Sequence, residues 1–322
     1  MRVKMTIKRR ARLSPVYWSI IFFIIAQMLT FLVIIRESEF LRVKHIYVPP
    51  VTPETVVIWP QPVQPAPPGE TQAPDVGSLG PIVIYFATVV IVLGIVLFLV
   101  PVSALRSILR IVFALLFSWG IFIMLYIFGV PAAPALIIAA AIGITWFAIP
   151  RIWLHDSVMI LAMVSMGAVF GRLISPWTAM VLILALAVYD FLAVRFGYMV
   201  WMVKKLSESS TLPAFVIPRN AAEWSSSLKE PAFTGLVEEK PSERDYSILG
   251  GGDIGFPLLL VSSVYFGYGL SNALLVSLFS LLGLVGAYWI QAAFLKGKPI
   301  PALPPIAIMS LIALLIVRYI GV

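Results

Sequence analysis

Long apolar runs separated by shorter polar segments make up most of this chain. A helix needs about 20 mostly apolar residues to cross the hydrocarbon core of a bilayer, and these runs approach or reach that length. Prolines and groups of charged residues mark the turns between them. The pattern predicts an all-α polytopic membrane protein with nine transmembrane helices. The predicted spans cover residues 15–35, 79–100, 107–128, 132–149, 157–174, 177–203, 252–270, 272–294 and 301–320.

Two long polar segments interrupt this pattern and divide the chain. Residues 36–78 are rich in proline, and we expect an extracytoplasmic loop that is partly extended. Residues 206–248 carry many Ser, Glu and Lys residues, and we expect a solvated cytoplasmic loop. The predicted organisation is therefore a basic cytoplasmic tail at 1–14, spans one to six within 15–205, the 206–248 loop, and spans seven to nine within 249–322.

Composition supports the membrane interpretation, and the distribution of charge sets the orientation. The chain is 61% hydrophobic and only 12% charged, with a net charge of +8. Its basic residues lie between apolar runs rather than on a soluble domain, so we expect the lipid bilayer as a partner and not nucleic acid. Most of the 23 Lys and Arg residues fall in segments that an inside N-terminus places in the cytoplasm. The prediction is a multi-pass protein of the cell membrane, with a cytoplasmic N-terminus and an extracytoplasmic C-terminus.

Several kinds of catalytic site are excluded by residue type. The chain contains no cysteine, which rules out disulfides, thiol nucleophiles and cysteine metal sites. Its two histidines, His45 and His155, lie outside the centres of the predicted spans, and we expect both at the surface. No His-Glu-x-x-His pattern suggests a zinc protease, and no histidine lies within a predicted span to activate a serine. The carboxylates remain as candidates for chemistry.

Of the fifteen acidic residues, only Asp190 and Asp253 lie within predicted spans, and Asp156 lies at the edge of one. A charged Asp at the centre of a transmembrane helix costs about 3 kcal/mol, so such residues usually carry function. We expect Asp190 about midway along the sixth span and Asp253 near the cytoplasmic end of the seventh.

Two carboxylates held close together cannot both ionise easily, so one of them keeps its proton. The ionised carboxylate can take a proton from water while the protonated one polarises a scissile carbonyl, which is the chemistry of an aspartic protease. Acids within membrane spans also serve proton-coupled transporters and ion leak channels. The two residues alone therefore leave both kinds of function open.

Three short motifs occur in order along the chain. Tyr189-Asp190 lies in the sixth span, Gly250-Gly251-Gly252-Asp253 opens the seventh, and Pro301-Ala302-Leu303-Pro304 opens the ninth. Together they closely resemble the presenilin and signal peptide peptidase family of intramembrane aspartyl proteases. The resemblance covers the nine spans, the order of the motifs and the long loop between spans six and seven. Pro304 and the inside N-terminus favour the presenilin side of the family, as in a microbial, archaeal-type homologue.

The resemblance implies that Asp190 and Asp253 form a catalytic dyad. It implies substrates that are single transmembrane helices of other proteins, and a water nucleophile that needs no cofactor or metal. Position 251 is glycine here, whereas the family often has leucine at this position, which is linked to substrate choice. Whether the chain forms a homo-oligomer stays open. The residues implied to support the active site are Tyr189, Gly250, Gly251, Gly252, Pro301, Ala302, Leu303 and Pro304.

The motif residues also suggest how a substrate is held. A protease in the membrane must unwind its substrate helix, and glycines and prolines break helical backbone beside the dyad, where an extended substrate could add as a strand. Residues 212–217 are apolar within the polar loop, and we expect a strand or plug over the active site. The resemblance further implies self-cleavage in this loop. A proton-coupled transporter or leak channel remains the competing interpretation, and an inactive scaffold is a third, which the intact dyad opposes.

Overall fold

The computed structural model describes most of the chain as apolar helices joined by short connections. The described residues are 15–44, 46–47, 71–72, 101–197, 213–218, 221–228, 246–293 and 301–320, with isolated positions between 84 and 99. The helices are α1 (Pro15–Val43), α2 (Val102–Ile127), α3 (Ala132–Ala148), α4 (Ile152–Leu173), α5 (Pro176–Arg195), α6 (Gly251–Tyr268), α7 (Leu270–Ala293) and α8 (Leu303–Ile320).

Two small strand pairs accompany the helices. The strands β1 (Ile46–Tyr47) and β2 (Thr71–Gln72) pair in parallel. The strands β3 (Ala214–Pro218) and β4 (Tyr246–Gly250) pair antiparallel, and a short 3-10 helix covers Ala221–Ser225. The second pair confirms the strand predicted within residues 212–217.

The membrane character of the helices agrees with the sequence analysis. Within the described part of the chain, α1, α2, α4, α5 and α7 are long and apolar enough to cross a bilayer, and α3 and α8 are apolar but shorter. Of the predicted second span only isolated positions are described, and these are helical. The basic tail at 1–14 and His45 lie outside the described residues.

Helix α4 is the centre of the bundle, packed against α1, α2 and α6. Small residues allow its close approach to α6. A Cβ atom on Gly171 would lie 2.5 Å from the Cβ of Ser262 and 2.6 Å from the carbonyl oxygen of Leu259. Because lipid offers no hydrophobic driving force between helices, such close packing is a main source of their association. On the far side of α6, α8 packs against α7 and α5.

Helices α1, α4 and α6 run in the same direction. Near the start of α1, the ring of Phe22 stacks on Trp224, with centroids 5.4 Å apart, and at the start of α4 the Ile152 N–H donates to the Ser226 carbonyl at 3.2 Å. At the opposite end, Arg172 of α4 pairs with Glu37 of α1 at 2.8 Å. The strands β3 and β4 therefore lie at the end where α1, α4 and α6 begin.

Four helix boundaries differ from the predicted ones by five residues or more. Helix α1 runs to Val43 rather than ending at Ile35, because its last turns are held by the Glu37–Arg172 ion pair. Helix α2 begins at Val102 rather than at residue 107. Helix α4 begins at Ile152 rather than at residue 157. Helix α5 ends at Arg195 rather than at residue 203, since Gly197 adopts a φ of 73°, the left-handed conformation that often ends helices.

These boundaries correct two expectations about single residues. His155 is fully buried inside α4, and the expectation that it lies at the surface is wrong, because β3 covers the first turns of this helix. Asp190 lies in the last turns of α5 and not midway along a span, because the helix stops at Arg195.

Candidate active site

Asp190 is carried by a helix with well-defined ends. Helix α5 is capped by Ser175, whose side-chain oxygen accepts the Thr178 N–H at 3.1 Å, and Pro176 occupies its first position. Near the other end Asp190 is half-buried. Its Oδ2 atom is shielded from solvent and has no hydrogen-bond partner among the described residues. A buried, unpartnered carboxylate oxygen is costly, and such oxygens are typical of functional sites.

Asp253 lies in the first turn of α6, and the glycine run shapes its surroundings. Gly250 is the N-cap residue, and its backbone N–H donates a hydrogen bond to the Asp253 carboxylate. This reaching back from the third helical residue to the cap is the geometry of a capping box, and the helix dipole also favours negative charge there. A Cβ atom on Gly250 would lie 2.9 Å from Oδ2 of Asp253, so glycine at this position makes room for the carboxylate.

The two carboxylates come from adjacent helices. Helices α5 and α6 pack against each other, and Asp190 and Asp253 lie close enough for their charges to interact. Two acids whose charges interact resist ionising at the same time, so one of them can keep its proton. The arrangement can therefore supply one base and one acid at the same place, as a two-carboxylate hydrolase requires.

The start of α8 completes the surroundings of Asp190. The backbone N–H of Leu303, the first residue of this helix, hydrogen-bonds to the Asp190 carboxylate. Pro304 and Pro305 follow and have no N–H, so Leu303 is the only one of the first three helical residues that can donate. The Leu303 side chain is buried, and Ala302 packs against the core. The Pro-Ala-Leu-Pro motif at 301–304 thus contacts the Tyr-Asp motif at 189–190.

The remaining predicted support residues differ in what they contact. Gly251 is buried, and any side chain there would collide with the end of Met163 and approach the Pro213 carbonyl oxygen at 2.9 Å. A leucine at position 251 would not fit this packing. Gly252 is exposed, and a Cβ atom there would meet the Phe256 ring at 3.3 Å. Tyr189 is 40% exposed on α5.

The strand pair joins the polar loop to the start of α6. In its register Ala214 lies opposite Gly250, and the ladder continues into the helix because the Gly251 N–H donates to the Pro213 carbonyl at 3.0 Å. All five residues of β3 are buried. Strand β4 was not predicted, although Tyr246 and Ile248 are of residue types that favour strands.

Three polar residues near the site were not singled out as functional by the sequence analysis. His155 and Asp156 on α4 are fully buried and contact β3. Tyr288 on α7 hydrogen-bonds to Ser19 of α1 and lies close enough to Asp253 to interact with its charge. The adjacent His-Asp pair was a usable signal, whereas a tyrosine in an apolar run carries none. Among the described residues, no group of three or more His, Asp or Glu side chains could hold a metal ion.

Comparison with known proteins gives one sequence family and one fold. A family model described as signal-peptide peptidase, presenilin aspartyl protease matches residues 56–320. Two solved structures of a presenilin family intramembrane aspartate protease, in space groups C222 and P2, each superpose with a TM-score of 0.58 at 17% and 18% identity. The match covers 95% of this chain and 100% of the first structure, and 96% and 99% for the second. No curated protein matches the sequence.

Proposed function

Because the chain belongs to the signal-peptide peptidase and presenilin family of aspartyl proteases, we propose that Asp190 and Asp253 are the catalytic dyad with which it hydrolyses peptide bonds in transmembrane helices. The observation that carries this assignment is that the packing of α5 and α6 brings the two carboxylates close enough for their charges to interact. Each is held by a backbone N–H at the start of a helix, Leu303 for Asp190 and Gly250 for Asp253.

The dyad acts on a water molecule bound between its oxygens. The ionised carboxylate removes a proton from this water as it attacks the scissile carbonyl carbon, and the protonated carboxyl transfers its proton to the carbonyl oxygen, which gives a neutral gem-diol. The carboxyl that took the water proton then gives it to the amide nitrogen, one hydroxyl of the gem-diol returns its proton to the other carboxylate, and the C–N bond breaks. The products are a carboxylic acid and an amine, and the dyad returns to its singly protonated state.

The substrate binds as an extended strand on β4. The backbone N–H and carbonyl groups of successive residues in a strand point to opposite edges. In β3, those of Ala214 and Val216 point to α4, so those of Phe215 point to Leu249 of β4. The N–H and carbonyl of the next residue in β4, Ile248, therefore lie on the edge that faces away from β3. An unwound substrate segment that pairs with this edge runs toward Gly250, beside the Asp253 carboxylate.

The finer topology is part of the same proposal. The chain crosses the cell membrane nine times, with its N-terminus inside and its C-terminus outside, and residues 206–248 form the cytoplasmic loop between the dyad-bearing helices. The starts of α1, α4 and α6 gather at the strand pair, which agrees with a single cytoplasmic end for these segments. The basic tail at 1–14 fits the same side.

Cleavage by the purified protein tests the dyad. We expect the wild-type chain in detergent to cut a single-span helical substrate, and Asp190→Asn and Asp253→Asn each to lower the rate about 100-fold to 10,000-fold. Glu39→Gln is the matched control, because Glu39 is an exposed acid whose ion pair, with Arg36 at 2.6 Å, lies within the same helix turn. Equal cutting by the wild type and both Asp variants would refute the assignment. Ion flux in liposomes that persists in Asp253→Asn would favour a channel instead.

A further inference from the structure

Strand β3 is held along both of its edges. One edge pairs with β4, and the other faces the first turns of α4. There the Val216 N–H donates to Oδ1 of Asp156 at 3.1 Å, and Nε2 of His155 lies 3.1 Å from the Ala214 carbonyl oxygen. Asp156 and His155 thus make the hydrogen bonds that a third strand would make: Asp156 accepts one from the backbone of β3, and His155 donates one to it.

The contacts of His155 fix its tautomer. The indole N–H of Trp146 can only donate, and it lies 3.2 Å from Nδ1 of His155, which must therefore accept. The Ala214 carbonyl can only accept, so Nε2 carries the proton and donates. A neutral imidazole with its proton on Nε2 satisfies both contacts, and the Phe117 ring packs edge-on against it at 5.9 Å.

Burial of this polar pair costs free energy. Both side chains are fully buried, and Oδ2 of Asp156 has no hydrogen-bond partner among the described residues. Burying polar groups is unfavourable unless their hydrogen bonds are replaced, and apolar side chains would cover β3 with a smaller desolvation penalty. What apolar side chains could not do is bind the backbone of β3 at a fixed register, since they carry neither donor nor acceptor.

A short chain of hydrogen bonds leads from this pair to the dyad. Asp156 binds Val216, β3 pairs with β4, and the Pro213 carbonyl accepts the N–H of Gly251, the first residue of α6. Asp253 follows two residues later in the same turn. The position of β3 is therefore transmitted to β4, the strand on which the substrate is proposed to dock, while Asp253 keeps its own N–H donor at Gly250.

We propose that His155 and Asp156 are positioning residues that lock β3 in register and so hold β4 in place as the docking edge for substrate. The inference rests on the proposed function, and it adds two residues that touch neither the substrate nor the reacting atoms. Its specific consequence is a defect in substrate binding. Loss of the lock raises KM and leaves kcat nearly unchanged, because both carboxylates keep their own helix supports.

Matched substitutions at Asp156 separate a lock from simple packing. Asp156→Asn keeps an oxygen acceptor for the Val216 N–H, whereas Asp156→Leu has similar volume and no acceptor. In Asp156→Leu we expect KM for a single-span substrate to rise about tenfold, with kcat within about twofold of wild type. We expect amide exchange in residues 214–217 to accelerate about tenfold as well, since the strand has lost one anchor. Asp156→Asn should match the wild type in both measurements.

The same comparison at His155 guards against misfolding of one variant. His155→Gln retains an N–H donor for the Ala214 carbonyl and His155→Leu does not, so only the latter should raise KM and exchange. Unchanged exchange and KM in both Leu variants would overturn the proposal, as would Asn and Gln variants as defective as the Leu ones. If the wild-type protein cuts no substrate, the proposed function fails, and the exchange rates alone decide whether the lock exists.

Discussion

Asp253 and Asp190 approach the site from opposite ends of their helices. Asp253 lies in the first turn of α6, where the helix dipole favours a negative charge, and its hydrogen-bond donor is Gly250, three residues earlier. Asp190 lies more than one turn before the end of α5, so the dipole gives its charge no such support. Its donor is Leu303, on a helix that is remote in sequence.

The difference separates local from tertiary support. The Asp253 carboxylate carries its N–H donor within one turn of chain, so its surroundings form as soon as α6 begins. The Asp190 carboxylate receives its hydrogen bond from the first residue of α8, so it depends on how α8 packs against α5 and α7. Substitutions close to Asp253 in sequence should therefore act strongly on the dyad, and substitutions far from Asp190 should still reach it.

The largest effect is expected from Gly250→Ala. The added methyl group would lie 2.9 Å from Oδ2 of Asp253 and push the carboxylate aside. Gly250 has a φ of −58°, which alanine also adopts, so the backbone carries no strain. We expect cleavage to fall about 100-fold with little loss of stability, measured as kcat and as the unfolding temperature. Gly255→Ala is the control, since its nearest atom is the sulfur of Met163 at 3.9 Å. Similar rates for both variants would argue against local support.

A smaller effect is expected when Asp190 loses its remote donor. Leu303→Pro removes the backbone N–H, and proline is well tolerated at the first position of a helix. Leu303→Ala keeps the N–H and removes the buried side chain, so it reports the cost of packing alone. We expect the proline variant to cleave about tenfold more slowly than the alanine variant, as loss of one hydrogen bond to a charged group predicts. Equal kcat for the two would show that the Leu303 N–H does not serve Asp190.

The smallest effect on cleavage should come from the close contact between α7 and α8 that determines the position of α8. A Cβ atom on Gly283 of α7 would lie 2.5 Å from Cα of Ile306 and 2.8 Å from the Pro305 carbonyl oxygen, and backbone atoms cannot give way locally. Gly283→Ala should displace α8, destabilise the protein by about 1–3 kcal/mol and slow cleavage roughly threefold. Gly286→Ala, on the same helix with nothing within 4 Å, should leave unfolding temperature and cleavage unchanged.

The same division explains what could be predicted from the sequence. The apolar runs give most helices, and the glycine run before Asp253 indicates its cap, because both signals are local. The partner of Asp190 is a tertiary contact that no spacing predicts. The start of α4 was missed because residues 152–156 include His155 and Asp156, which look like a polar boundary until β3 covers them.

The end of α5 was missed for a related reason. The apolar run continues beyond Arg195, so hydropathy extends the predicted span, while the backbone turns at Gly197. A single glycine is a weak signal within an apolar run, and only its positive φ makes it a helix end. Asp190 moves from mid-span to the helix terminus as a result, and this is what allows the start of α8 to reach it.

The two prolines at the start of α8 also bear on where that helix can begin. A helix start normally leaves several N–H groups that only water or a cap can satisfy, which is a heavy cost in hydrocarbon. Pro304 and Pro305 remove two of these groups, the Leu303 N–H is used by Asp190, and the Ile306 N–H returns to Ala302 at 3.5 Å. Helix α8 can therefore start at a depth where water is scarce, so no water near the proposed dyad is needed to solvate this helix end.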